Sequence, residues 1–147
     1  MIESFVVGVV AGMRAMTPLA LVAFLARRGA LAEPVPPLSR ATAGALAALA
    51  AAELWGDKLP SAPDRTILPG LVGRAGTGAI AAASLAAPHE RRTAAILGAV
   101  TAAVGAHLTL ALRKRAMHRY GQVPTGLVED AVVLGLSAWI AARRGAI

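Results

Sequence analysis

The residues of this 147-residue chain that could do chemistry are few, and nearly all are charged. There is no cysteine, so neither a disulfide framework nor a thiolate nucleophile is on offer. His89 and His118 fall in expected connections, and His107 stands alone in an apolar run, where a packed residue is expected rather than a base. Three other stretches stand out. Arg14 lies inside "AGMRAMTP", Glu129 and Asp130 lie inside "PTGLVEDAV", and "ELWGDKLPSAPDRTILPG" (residues 53–70) holds five charges and three prolines. Lys58, Arg65 and Arg74 beside a helix N-terminus suit an anion. Asp57 and Asp64 suit a cation instead, of a metal type the sequence leaves unknown. Pro60, Pro63 and Pro69 stiffen the backbone that carries them.

Arg14 calls for a partner, because a charge inside an apolar span costs at least a few kcal/mol unless paired or hydrated. The chain carries "ARRGAL" near residue 30 and closes on "ARRGAI". Arg14 is thirteen residues before Arg27, and Asp130 is thirteen before Arg143. At 1.5 Å per residue both lie about 20 Å below the same face. Adjacent helical residues point about 100° apart. One of Glu129 and Asp130 is therefore expected to meet Arg14, leaving the other for Arg74 or a cation. Thr17 adds a hydroxyl and Pro18 a helix break, so the first span is expected to be kinked or interrupted between Arg14 and Pro18.

The elements that must position these groups are set by composition. The chain is 56% apolar and 16% charged, against roughly 45–50% and about 25% in a soluble domain; mean hydropathy is +0.62. Five apolar runs, at about 4–26, 38–55, 67–88, 93–112 and 123–142, each approach the roughly 20 residues that cross a bilayer as helix. "ATAGALAALAAAELW" has no polar stripe at helical period, which argues against a soluble bundle. The expected fold is all-α: a single polytopic transmembrane helical bundle over residues 1–147. "MIESFVV" lacks a basic leader, so a cleaved signal is not expected. The net charge of +7 belongs to arginines at span ends, facing lipid headgroups; no nucleic-acid partner is expected.

Five crossings would place six or seven cations on one face and seven on the other, which gives the positive-inside rule little to act on. Either the chain inserts both ways as an antiparallel dimer, or one span is really broken or re-entrant. Gly78 with Ala82, and Gly98 with Ala102, set small residues four apart for close helix contact. Short helices of this kind bury little alone, so a homodimer among membrane lipids is expected.

In their order, "GMRAMTP", "ELWGDKLPSAPDRT", "GRAGTGA" and "GLVEDAV" resemble a bacterial family of small integral-membrane proteins known as a domain of unknown function. The resemblance covers nearly the whole chain, and D-K-L-P-x-x-P-x-R-T is its most specific element. The matching residues are Arg14, Thr17, Pro18, Asp57, Lys58, Pro60, Pro63, Arg65, Thr66, Arg74, Glu129 and Asp130. Ala82 departs from the pattern, where a further glycine is expected. The resemblance implies a multi-pass protein of the bacterial cytoplasmic membrane and brings no cofactor or established activity. Buried charges and a broken span favour a permeation pathway for a small or anionic solute or lipid. An intramembrane enzyme acting on a lipid phosphate and a non-catalytic scaffold are the alternatives, with an enzyme the less expected.

Overall fold

The computed structural model describes residues 1–31, 38–56 and 67–147. The described residues form helices α1 (Ile2–Met13), α2 (Met16–Arg27), α3 (Arg40–Gly56), α4 (Leu68–Leu85), α5 (Arg91–Tyr120) and α6 (Gln122–Arg143), with a 3-10 turn at Pro88–Glu90 and no strand.

The first apolar run does not continue as one helix. Arg14 leaves α1 in extended backbone (φ −139°, ψ 117°), and α2 starts two residues later. Pro18 then falls in the first turn of α2, where its missing N–H has no intrahelical acceptor to lose. Arg144 fixes the direction of the break. Its guanidinium donates to Glu3 Oε2 at the start of α1 (2.8 and 2.5 Å), to the Ala30 carbonyl just past α2 (3.3 Å), and to the Leu85 carbonyl at the end of α4. One side chain reaches all three only if the start of α1 and the end of α2 share one end of the bundle. α1 and α2 are therefore arms of an antiparallel hairpin, each about 18 Å long, with Arg14 at the tip. Val7 of α1 packs with Leu21, Val22 and Leu25 of α2 in the same apolar cluster. The expected interruption is present, and it folds the run back on itself.

The other helices alternate between the open end of this hairpin and its tip. Arg27 at the open end donates to the Leu38 carbonyl (3.5 Å), just before α3. α3 runs down to the tip, α4 returns to Leu85 beside Arg144, α5 descends, and α6 returns to Arg143. The two "ARRGA" sequences make the same cap. Gly29 (φ 65°) and Gly145 (φ 64°) take the left-handed conformation that glycine reaches without a Cβ clash. Ala30 N–H donates to the Leu25 carbonyl (2.9 Å) and Ala146 N–H to the Ala141 carbonyl (3.0 Å), the long-range bond of a Schellman motif.

α4 and α5 pack through small residues, as expected, and α1 joins them in the same way. A Cβ on Gly78 would lie 2.7 Å from the Gly98 carbonyl oxygen and 2.9 Å from the Ala102 Cβ. A Cβ on Gly12 would lie 2.7 Å from the Ala102 oxygen and 2.8 Å from the Ala106 nitrogen, so α1 meets α5 almost backbone to backbone. Ala82 is fully buried and faces Gly98; the glycine opposite leaves room for its methyl.

Outward, α5 presents Ile96, Val100, Val104, Leu108 and Leu112, four residues apart and all exposed. The helices over 88–120 and 122–143 are long and apolar enough to cross a membrane, and only 22% and 28% of their most apolar windows are buried. Core helices of a soluble bundle would bury much more of that surface. α5 also runs about two turns past the expected end near residue 112.

Candidate functional site

The break at the hairpin tip leaves orphan backbone groups on both of its sides, and charged side chains satisfy them. On the α2 side, Ala15 N–H and Met16 N–H donate to Glu53 Oε1 and Oε2, each at 2.8 Å. A carboxylate from α3 thus caps α2 where the helix dipole favours negative charge. On the α1 side, Arg14 Nη1 donates to the Met13 carbonyl (3.3 Å) and Arg74 Nη1 to the Gly12 carbonyl (3.4 Å). Cations face the negative end of α1, as the dipole requires. Arg74 Nη2 also stands 3.7 Å from Glu53 Oε1, which joins the two sides.

Arg14 is 1% exposed. It donates to Asp130 Oδ1 from Nε (3.1 Å) and Nη2 (2.6 Å), and the same Nη2 lies 4.0 Å from Glu129 Oε2. Glu129 accepts from Arg113 Nη1 at 3.1 Å. Asp130, Arg14, Glu129 and Arg113 therefore alternate in sign along one chain of contacts. Among the described residues, Arg14, Arg74 and Arg113 stand against Glu53, Glu129 and Asp130, a balance of charge that burial demands.

The expected match in depth holds, with Asp130 as the partner of Arg14. The second carboxylate differs from expectation. Glu129 meets Arg113, and Arg74 meets Glu53. Arg113 falls just past the apolar run expected to end near residue 112, but α5 runs on through it and buries it to 8% exposure. Thr17 is also buried, but its hydroxyl makes no hydrogen bond to the network and lines a different cleft. His107 is exposed on the outer face of α5 rather than packed in the core. Asp57, Lys58, Asp64 and Arg65 lie outside the described residues.

Both missed members were within reach of the sequence. Arg40 opens α3 at the level of Arg27, and Glu53 follows it by the same thirteen residues that separate the other depth-matched positions. Arg113 and Glu129 lie eight residues to either side of Gly121, the turn between two antiparallel helices, which places them at equal depth.

A cavity of about 220 Å³ between α5 and α6 is lined by Met13, Thr109, Arg113, Thr125 and Glu129 among others. A second, of about 380 Å³, shares Ala116, Thr125 and Val128 with it and extends to Tyr120 and Pro124 at the turn. Among the described residues no group of three or more His, Asp or Glu is arranged to hold a metal. Comparison with protein-family models, with curated proteins and with solved structures finds no match.

Proposed function

We propose that this chain is a small multi-pass protein of the bacterial cytoplasmic membrane, akin to the membrane family it resembles. In this reading α3 to α6 cross the bilayer and the α1–α2 hairpin re-enters it from one face. The Arg14 network is the polar centre of a permeation pathway for a small or anionic solute or lipid. At about 18 Å each, α1 and α2 are too short to cross a hydrocarbon layer of about 30 Å, whereas α3 and α4, about 26 and 27 Å, need only slight thinning. A helix broken inside the membrane with ionised groups at its ends is the arrangement by which transporters build midplane sites. The pair of adjoining cavities carries the reading, because these mainly apolar clefts run from the α5–α6 turn to the charged side chains of Glu129 and Arg113. The apolar face of α5 also suits a homodimer, and a native mass in mild detergent showing only monomer would remove that part.

A purely architectural network is the second reading, favoured by the capped helix break and by the balance of charge among the described residues. One experiment separates the two. The chain has no native cysteine, so Thr125→Cys or Thr109→Cys provides a single thiol in the cavity wall. A pathway predicts that a hydrophilic thiol reagent modifies these positions in vesicles, and that modification alters flux of chloride or phosphate. Thiols inert in folded protein and reactive only after denaturation would favour the architectural role.

A further inference from the structure

α2, α3 and α6 enclose a trough of about 380 Å³ with almost wholly apolar walls. On α2 it is lined by Thr17, Leu21 and Phe24, and on α3 by Ala47, Ala51 and Leu54. These positions recur at intervals of three and four, so each set follows one helix face. Continued toward the open end, the α2 face arrives at Arg28, whose guanidinium stacks 5.2 Å from the centre of the Phe24 ring. The α3 face, continued seven residues back from Ala47, arrives at Arg40. Both arginines are exposed, and among the described residues neither has a carboxylate partner. Along the two helix faces that line the trough, just beyond its lining, thus lie two cations with no carboxylate partner among the described residues.

We propose that this trough binds one anionic phospholipid, with an acyl chain along the Thr17–Phe24 floor and the phosphate at Arg28 and Arg40. The proposal rests on the membrane placement given above but not on the permeation role of the Arg14 network. Length fits. From Arg28 to Thr17 is eleven residues, about 16 Å along the helix, close to the roughly 15 Å of hydrocarbon in one leaflet. The arginines therefore fall at headgroup depth when the chain end reaches Thr17. Charge decides against a second copy in the same place. Among the described residues, one end of this bundle carries Arg27, Arg28, Arg40, Arg91, Arg92, Arg143 and Arg144 against Glu3 and Glu90, and the other carries Lys114, Arg115 and Arg119. A second copy would bring cations to the rim whichever way it inserted, whereas an anionic headgroup neutralises them.

The full chain, purified in mild detergent, is offered phosphatidylglycerol or phosphatidylcholine and examined by native mass measurement and thermal unfolding. Wild type should retain one phosphatidylglycerol in preference to phosphatidylcholine and gain thermal stability with it. Arg28→Gln with Arg40→Gln should weaken phosphatidylglycerol retention on the order of thirtyfold, from two cations at an anionic surface, and leave phosphatidylcholine unaffected. Ala51→Trp and Ala138→Trp fill the trough from exposed wall positions; they should abolish retention without lowering the lipid-free unfolding temperature. Equal retention of the two lipids, or a preference that survives both kinds of variant, would overturn the proposal. So would a dimer that Ala138→Trp converts to monomer, because the trough would then hold a second copy. A chain that stays in solution without detergent would fail the membrane reading itself, a different result from lipid indifference in detergent.

Discussion

The tip of the α1–α2 hairpin and its open end use the same chemistry at different depths. At the tip, Arg14 of the hairpin meets Asp130 of α6 across 116 residues of sequence. At the open end, Glu3 of α1 meets Arg144 just past α6 across 141. Both bonds join the hairpin to the last helix, and each arginine also donates to backbone carbonyls left over at helix ends. Burial separates them. The Arg14 side chain is 1% exposed and its partner's 10%, whereas the Glu3 and Arg144 side chains are 18% and 17% exposed, with Arg143 beside them at 53%. Water therefore reaches the open end and can replace a lost partner there. The Arg14–Asp130 pair is far less exposed, so removing one of its charges should cost more than it does at the open end.

The largest expected effect follows at the tip. Arg14→Ala should destabilise the protein in detergent by about 3–5 kcal/mol, because buried Asp130 loses both bonds that Arg14 donates to it. Arg14→Ala combined with Asp130→Ala should cost less than the two single losses added together, which a double-mutant cycle on thermal unfolding reads. Additive losses would erase the contrast between the two ends. Next comes Glu53→Ala, which strips both acceptors from the N-terminus of α2 and should cost about 2–3 kcal/mol. Glu53→Gln keeps one acceptor and should recover part of that loss. Its failure to recover any would mean that the pairing with Arg74, not the cap, is what Glu53 supplies. Glu3→Gln should have the smallest effect, about 1 kcal/mol and shrinking as salt is raised. A loss as large as that of Arg14→Ala would show the open end to be drier than its exposure indicates.

The sequence carried the depth of the polar centre but not its full membership. Counting residues inward from each arginine pair placed Arg14 at the depth of Glu129 and Asp130, because rise per residue is fixed and both stretches end in the same cap; the count does not choose which of the two carboxylates meets it. Glu53 and Arg113 escaped because both sit at the ends of expected spans, Glu53 near the end of the second and Arg113 just past the end of the fourth. Small-residue spacing likewise marked Gly78 and Gly98 for close helix contact, though not that they would meet each other. The turn of the hairpin was harder to read. "RAMTP" says that a helix stops, since proline lacks a donor and crowds the preceding turn, but the angle at which the chain resumes is set by distant contacts. Those are Glu53 on α3 and Arg144 past α6, and no local pattern around Arg14 contains either.

The hairpin is the claim on which the rest depends, and single-cysteine accessibility tests it most directly. Thiols introduced one at a time at Ile2, Gly29, His89 and Tyr120, all exposed, are probed in sealed vesicles with a membrane-impermeant reagent. In the proposed membrane placement, a hairpin puts positions 2, 29 and 89 on one face and position 120 on the other. Positions 2 and 29 labelled from opposite faces would mean that residues 4–26 cross the bilayer as one span, and the re-entrant tip at Arg14 would be lost.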